Sequence, residues 1–268
     1  MITDRQKDIL WAVIEAYAKK AEPISSKTLA QKRGFNIGAP MIRKEMNQLE
    51  QGGFLASPYT SAGRVPTDQA YRLYIQNQLN KSGASGQDVK AVKTGLTHQE
   101  TKKVSETLKK DWPDEQSLLR EISRLTSKIS KELSIAGCIG GADSYIFGFS
   151  NLVDEPEFSS LDGINRLMRF MDNADRCFDV LWKSSTFPQS IKPYGKVRDL
   201  QVFIGSENPI KEINEFTLIT GKYQLPDGDP FDSAQGRYGF ISIIGPKRMN
   251  YRRNMALVEY ISGCLNEK

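Results

Sequence analysis

Histidine and cysteine are scarce in this chain of 268 residues, which has one histidine and three cysteines: His98, Cys138, Cys177 and Cys264. The cysteines are scattered and form no C-x-x-C pair, so neither a zinc site nor a disulfide framework is predicted. Catalysis by a Ser-His-Asp or Cys-His arrangement would depend on that one histidine. The short basic turn at 245–249 lacks the spacing of a phosphate-binding loop. We therefore expect no metal, no cofactor and no enzymatic activity.

Long apolar runs are also missing. The chain has no stretch of about 18 consecutive apolar residues, the length that a membrane helix needs. Residues 1–20 contain acidic residues and have no apolar run before a small-residue cleavage site, so no signal peptide is predicted. We expect a cytoplasmic protein that does not associate with membranes.

The positive charge is confined to one part of the chain. Residues 1–81 contain 12 Lys and Arg against 7 Asp and Glu, which gives this segment a formal charge of +5. The whole chain also has a formal charge of +5, so the remainder is neutral. A basic segment beside a neutral body is typical of a protein that binds a polyanion, although a solvated basic surface is the alternative.

Three helices are predicted in the first 53 residues. Thr3 is a suitable N-cap for the first helix, and Ser25 for a short second helix after Pro23. The third helix begins near Pro40 and ends at Gly52 and Gly53. Apolar residues at helical spacing define the buried sides of the first and third helices: Ile9, Leu10, Val13, Ile14, Tyr17, Ile42, Met46 and Leu49.

A hairpin and a fourth helix are predicted next. Residues 54–56 can form a strand, and the following segment SPYTSAGRVPT is rich in turn residues, with Arg64 near its tip. Asp68 can then cap a fourth helix. This order of elements is typical of a winged helix-turn-helix domain, whose third helix enters the major groove of DNA. A small helical domain with a solvated polar face is the alternative.

The rest of the chain mixes helices and strands. The clearest long helix is predicted over residues 114–133, from an apolar stripe at helical spacing. We expect this stripe to face the core, and pairing with a second copy of the chain is the alternative. Its members are Leu118, Ile122, Leu125, Ile129 and Leu133. Strands are predicted at 146–149, 197–204, 215–223 and 237–244, and helices at 97–110, 161–183 and 250–265. This mixture favours an α+β sensor or dimerisation domain.

Several segments resemble the HrcA heat-inducible transcription repressors. In the N-terminal region they are AEPISSKTL at 21–29, MIRKEMNQLEQGGFL at 41–55 and TSAGRVPTDQAYRLYI at 60–75. Further along they are LVDEPEF at 152–158, VFIGSEN at 202–208 and YGFISIIGPKRMNY at 238–251. The resemblance thus extends over both ends and the middle of the chain.

The resemblance implies a homodimeric repressor of chaperone operons that binds an inverted-repeat operator through winged helices. It also implies a GAF-like body with an inserted dimerisation region, and a GroEL-type chaperonin that keeps the repressor active. We accordingly expect an α+β fold with a winged-helix DNA-binding domain at 1–80, a linker and polar helix at 81–113, and a GAF-like dimerisation or sensor domain at 114–268.

Two features depart from the family pattern. The chain is short for this family, and we expect the missing residues to fall between Ser134 and Tyr145, where the inserted region and the first GAF-like strands would lie. The third helix starts with the residues 38–41, GAPM, in place of the small hydroxylated residues usual there. The first departure affects the expected dimer interface, and the second affects the operator sequence that is recognised.

Seven residues are predicted to bind double-stranded DNA. We expect groove contacts from the third helix and contacts to the DNA backbone from basic residues around it. The first group is Met41, Arg43, Lys44 and Asn47, and the second is Lys27, Lys32 and Arg64. The predicted protein is a nucleoid-associated repressor that acts as a dimer. A regulator of other genes that binds a metabolite in its GAF-like domain is the alternative.

Overall fold

The computed structural model divides the chain into two compact units. The first comprises Met1–Gln78 and Lys247–Met249, and the second comprises Leu79–Pro246 and Asn250–Lys268. The structure describes residues 2–31, 35, 37–59, 62–81, 95–139, 144–158, 161–174, 200–224 and 238–266. Lys32, Cys177 and most of the predicted linker, residues 82–94, lie outside the described residues. No helix among the described residues is long and apolar enough to cross a membrane.

The first unit contains four helices and a small hairpin among its described residues. The helices are α1 (Asp4–Lys20), α2 (Ser26–Ala30), α3 (Ala39–Gln51) and α4 (Asp68–Lys81), and the strands are β1 (Leu55–Ala56) and β2 (Val65–Pro66). β1 and β2 are antiparallel, with Leu55 opposite Pro66 and Ala56 opposite Val65. The hairpin that begins with β1 and ends with β2 is called the wing below. The elements therefore follow the order predicted for a winged helix-turn-helix domain.

Local capping explains where the helices of this unit begin. The Thr3 hydroxyl accepts a hydrogen bond from the Gln6 backbone N–H, and the Gln6 side chain accepts one from the Thr3 backbone N–H. This reciprocal capping box satisfies two backbone donors that the first turn leaves unpaired. Ser25 caps α2 through the Thr28 N–H, as predicted.

The fourth helix has a different cap from the one predicted. Asp68 is its first residue, and the Thr67 hydroxyl accepts from the Ala70 N–H at 3.3 Å. The same hydroxyl donates to the Gly53 carbonyl at 2.7 Å, so Thr67 also ties the start of α4 to the end of α3. The prediction that Asp68 caps this helix was wrong because Thr67 lies one residue nearer the hairpin, where both contacts are available.

The core of the first unit explains the apolar spacing of its helices. α1 and α3 pack against each other, and α2 packs against both. Fully buried side chains come from these helices and from the segment that joins α1 to α2: Ile9, Leu10, Val13, Ile24, Leu29, Ile42 and Leu49. Trp11 and Tyr74 meet edge to face with ring centroids 5.3 Å apart, which joins α4 to α1.

The second unit contains α5 (His98–Lys109), α6 (Glu115–Ser130), α7 (Phe149–Val153), α8 (Leu161–Met171) and α9 (Tyr251–Asn266). Its strands are β3 (Leu133–Cys138), β4 (Ser144–Phe147), β5 (Leu200–Ile204), β6 (Phe216–Gln224) and β7 (Tyr238–Pro246). Short 3₁₀ turns occur at Pro156–Phe158, Gly205–Glu207 and Lys211–Ile213. Within the described residues the strands form one antiparallel sheet in the order β4-β3-β7-β6-β5.

Helices cover both faces of this sheet. On one face the strands and the helices α7 and α8 share a core that includes Leu133, Ile135, Leu152, Leu167, Phe170, Phe203, Leu218 and Ile244. On the other face the Ser123 hydroxyl of α6 donates to the Ser134 carbonyl at 3.0 Å, and Thr217 meets Tyr251 of α9 at 2.9 Å. Burial on both faces accounts for largely apolar strand sequences such as FISII at 240–244, in which Ser242 is buried as well.

The long helix predicted over 114–133 ends earlier. Ser130 is its last residue, and Lys131 takes the left-handed conformation with φ 65°. Leu133 is then the first residue of β3, so its place in the predicted stripe was wrong. The remaining stripe packs on the chain's own sheet, because α6 contacts β3, β4 and β7. The core-facing interpretation of this helix is therefore the one that the structure supports.

The strand boundaries also differ from the predictions. Phe149, expected to end a strand, is the first residue of α7. Leu133–Cys138 forms β3, which pairs with both β4 and β7 inside the sheet. Residues 172–174 follow the end of α8, and the remainder of the helix predicted over 161–183 lies outside the described residues.

Candidate nucleic-acid interface

Helix α3 is held by polar contacts to α1 as well as by its apolar face. Glu45 is only 9% exposed, and its carboxylate accepts from Gln6 Nε2 at 3.1 Å and lies 3.6 Å from Arg5 Nη1. Gln6 Nε2 also donates to Gln48 Oε1 at 2.9 Å. These contacts fix the rotation of α3 about its axis, because they occupy the side of the helix that faces α1.

The other side of α3 carries exposed polar and cationic side chains. Arg43, Lys44 and Asn47 are all exposed, while Ile42, Met46 and Leu49 are buried. Arg43 and Asn47 are four residues apart and therefore lie on one face of the helix. One face of the helix is therefore cationic and able to form hydrogen bonds, and the opposite face is apolar and buried.

A cleft of about 260 Å³ lies between this face, the start of α2 and the wing. Its lining consists of Ile24, Ser25, Ser26, Lys27, Arg43, Met46, Asn47, Ala62, Gly63 and Arg64. Three of these side chains are cationic, and the serines and Asn47 add hydroxyl and amide groups. Such a lining offers hydrogen-bond donors to an anionic partner.

Arg64 occupies the base of the wing rather than its tip. Its N–H donates to the Ile24 carbonyl and its carbonyl accepts from the Ile24 N–H, both at 2.9 Å. Its guanidinium Nη2 lies 2.8 Å from Glu50 Oε2 and 3.1 Å from Asn47 Oδ1. The prediction that Arg64 lies near the tip was wrong because the strand pairing places this residue immediately before β2.

Large exposed apolar side chains occur on the same unit. Met41 in the first turn of α3 is 41% exposed, and Tyr59 in the wing is 63% exposed. The N-cap of α3 is Gly38, which makes no side-chain capping bond, and Pro40 follows in the first turn. The beginning of α3 is therefore apolar, whereas the next turn is polar and cationic.

The structure brings together four of the seven residues predicted to bind DNA. Lys27, Arg43, Asn47 and Arg64 line the cleft. Met41 and Lys44 are exposed on α3 outside the lining, and Lys32 lies outside the described residues.

Sequence reasoning missed Glu50 and the serines at the start of α2. Ser25 was recognised only as a helix cap, and its hydroxyl also lies at the cleft. Glu50 is three residues after Asn47 and so shares its side of α3, which was a signal available in the sequence. Its partner Arg64 could not be identified without the path of the wing.

Comparisons with known proteins identify both parts of the chain. A family model described as the winged helix-turn-helix transcription repressor HrcA DNA-binding domain matches residues 1–80. A second model, described as the HrcA protein C-terminal domain, matches residues 46–255. A crystal structure described as that of a hypothetical protein at 2.2 Å resolution has a TM-score of 0.68 and 18% identity, and covers 100% of this chain and 98% of that one. This last likeness concerns the fold.

Proteins similar over nearly their whole length carry one name, heat-inducible transcription repressor HrcA. The one from Thermodesulfovibrio yellowstonii is 25% identical, with 99% of this chain and 97% of the relative covered. The one from Desulfitobacterium hafniense is 26% identical, with 98% and 96% covered. The first alignment spans 356 positions against 268 residues here, so the relative has residues without a counterpart in this chain.

These matches and the architecture agree. The predicted α+β fold is confirmed, with a winged helix at the N-terminus followed by an α+β body. HrcA proteins are transcription repressors and not enzymes, in agreement with the prediction from the sequence. The two family models together match residues 1–255, and this chain belongs to the HrcA family.

Proposed function

We propose that this protein is a heat-inducible transcriptional repressor of chaperone operons that acts as a dimer on an inverted-repeat operator. The observation that carries the proposal is the exposed face of α3. Arg43, Lys44 and Asn47 lie there together, and two of them line the cleft shared with the wing. Family membership identifies the unit as a DNA-binding domain.

The dimensions of α3 suit this role. Its 13 residues correspond to a helix about 20 Å long, and the major groove of B-DNA is about 12 Å wide, which admits one helix. Arg43, Lys44 and Asn47 donate to base edges or to nearby phosphates, and Met41 packs on a thymine methyl group. Lys27 donates to a backbone phosphate, which positions the protein without reading sequence.

Dimerisation accounts for recognition of an inverted repeat. Two copies of α3 related by a twofold axis would enter successive major grooves about 34 Å apart. Occupancy of such an operator blocks transcription from the promoter that contains it. The proposed location is the cytoplasm, at the nucleoid.

A GroEL-type chaperonin is the proposed effector, as the resemblance to the family implies. Free chaperonin would keep the repressor active, and heat would divert the chaperonin to unfolded proteins. Adding a GroEL-type chaperonin to the purified repressor should increase the fraction able to bind operator DNA after mild heating. An unchanged active fraction would remove the chaperonin from the proposal.

Fluorescence anisotropy tests the DNA-binding proposal. Labelled duplexes containing the inverted repeats upstream of chaperone genes, and of this protein's own gene, are titrated at several salt concentrations against scrambled duplexes. We expect preference for one inverted repeat and an affinity that falls steeply with salt, because phosphate contacts release counterions. Equal affinity for operator and scrambled DNA would contradict the proposal.

The number of copies bound is measured separately. Sedimentation of the complex should give two protein chains per full inverted repeat, and a duplex with a single half-site should bind much more weakly. One chain per full repeat, with no loss on the half-site, would contradict the dimer. The Lys128→Ala variant is a control in both experiments, since it removes an exposed charge from the second unit.

A further inference from the structure

The base of the wing is joined to α3 through one guanidinium group. Arg64 Nη2 lies 2.8 Å from Glu50 Oε2 and 3.1 Å from Asn47 Oδ1, and Nη1 lies 3.4 Å from the Ala62 carbonyl oxygen. The Arg64 side chain is 20% exposed and that of Glu50 is 32% exposed. This ion pair is shielded on most of its surface, which makes it stronger than a pair in open solvent.

The backbone holds Arg64 in this place. The paired hydrogen bonds between Ile24 and Arg64 fix the main chain, and a Cβ on the preceding Gly63 would come within 2.5 Å of the Ile24 carbonyl carbon and oxygen. Glu50 and Asn47 are three residues apart on α3, so both reach the same guanidinium from one side of the helix. The three side chains form a chain of contacts from Glu50 through Arg64 to Asn47.

The direction of the hydrogen bond to Asn47 is fixed by chemistry. A guanidinium only donates hydrogen bonds, so Asn47 must turn its carbonyl oxygen toward Arg64. The amide nitrogen then lies on the other branch of the side chain. An exposed asparagine without such a partner could rotate about its last bond and present either group.

We propose that Glu50, by holding Arg64, orients the Asn47 amide so that its Nδ2 donates to an acceptor on one base edge in the major groove. The proposal rests on the proposed function, since it specifies how α3 selects its operator. Glu50 and Arg64 are positioning residues in this scheme, and Asn47 is the residue that reads the base.

The orientation predicts which base atoms are read. An asparagine with both groups available pairs with adenine through two bonds, accepting from N6 and donating to N7. Here the oxygen is turned toward Arg64, so the amide nitrogen makes the base contact, and it can donate to purine N7, guanine O6 or thymine O4. Substitutions that remove this acceptor at one base pair should weaken binding there.

The test measures specificity at each position and not overall affinity. Anisotropy titrations of the full-length protein use the operator and all single base-pair variants of one half-site. The proteins are the wild type, Asn47→Ala, Asn47→Asp, Glu50→Ala, Glu50→Gln and the double variant Asn47→Ala/Glu50→Ala. Asn47→Asp keeps an oxygen facing Arg64 but has no donor. Glu22→Ala is the matched control, because Glu22 is exposed outside α3.

We expect Asn47→Ala and Asn47→Asp to lose preference at one base pair, by about 5-fold for a single hydrogen bond. Glu50→Ala should reduce preference at that same base pair, and should have no further effect in the Asn47→Ala background. Glu50→Gln, which keeps an oxygen acceptor for Arg64, should restore much of the preference. Glu22→Ala should retain the wild-type profile.

Three results would overturn the inference. Glu50→Ala could change the affinity for every duplex equally, it could act at a base pair that Asn47→Ala leaves unchanged, or Asn47→Asp could keep the preference. A wild-type protein without preference for any operator would instead overturn the proposed function, and this inference with it. If Glu50→Ala loses helical content by circular dichroism, Glu50→Gln and Asn47→Asp are compared instead. The inference then requires that Glu50→Gln keep much of the preference at that base pair and that Asn47→Asp lose it.

Discussion

The wing should separate from the rest of the DNA-binding unit when Gly63 is replaced by alanine. The new Cβ would lie 2.5 Å from the Ile24 carbonyl carbon and oxygen and 2.8 Å from its nitrogen. All three are backbone atoms that cannot rotate away, so one segment must move. The movement breaks the two 2.9 Å hydrogen bonds between Ile24 and Arg64. At about 0.5–1.5 kcal/mol each, their loss should destabilise the wing by about 1–3 kcal/mol.

Hydrogen exchange followed by mass spectrometry measures this effect locally. A loss of about 1–3 kcal/mol corresponds to roughly 5- to 150-fold faster exchange of the Ile24 and Arg64 amides. Operator affinity should fall as well, because the cleft loses one wall. Gly263→Ala is the matched control: its Cβ would meet nothing within 4 Å, and alanine in α9 should stabilise the helix by about 1 kcal/mol. Unchanged exchange in Gly63→Ala would refute the steric argument.

Four further predictions concern contacts, caps and protonation. Replacing one operator thymine by deoxyuridine should lower the affinity of the wild type in anisotropy titrations, and Met41→Ala should abolish this loss. A wild type whose affinity is unchanged by every such replacement would contradict the methyl contact. Lys27→Ala should lower the slope of log affinity against log salt by about 0.9, and an unchanged slope would exclude its phosphate contact. Thr3→Ala should cost about 1 kcal/mol in urea unfolding, because α1 loses its capping box, and an unchanged midpoint would refute this. Burial raises the pKa of Glu259, so ionising this carboxyl costs more in the folded state than in the unfolded state. The melting temperature of the wild type should therefore fall as pH rises from about 4.5 through the folded-state pKa, and that of Glu259→Gln should not. Parallel pH profiles of melting temperature for the two proteins would contradict this.

The helices of the DNA-binding unit could be predicted from the sequence because their signals are local. Thr3 and Ser25 mark helix starts through hydroxyls that cap nearby N–H groups, and Gly52 follows the end of α3. The apolar spacing of α1 and α3 reflects burial of one side only, so the buried and exposed faces could be assigned as well. Exposure of Arg43 and Lys44 followed from the same periodicity.

The body was harder to predict because its sheet is buried on both faces. Strand β3 has no polar alternation, and Leu133 continues the helical spacing of α6 by coincidence. The helix ends at Ser130 because Lys131 adopts a left-handed conformation, which its sequence does not signal. The neighbours of β3 are β4 and β7, and the pairing with β7 joins residues about a hundred positions apart.

The site itself was predicted in part for a similar reason. Lys27 and Arg43 were predicted from charge and position on helices, and both line the cleft. The contacts of Arg64 with Glu50 and Asn47 depend on the path of the wing, which returns to α3 through pairing with Ile24. An arginine in a turn-rich segment was therefore predicted at the tip, although it lies at the base.

Transcription in vitro from a promoter that contains the preferred inverted repeat tests repression most directly. Purified polymerase transcribes this template and a scrambled template in one tube while the protein is titrated, with an Arg43→Ala/Lys44→Ala variant in parallel. We expect transcript from the operator template alone to fall over the concentrations at which anisotropy reports binding, and the variant to leave it unchanged. Undiminished transcript at full operator occupancy, or equal inhibition of both templates, would contradict the account.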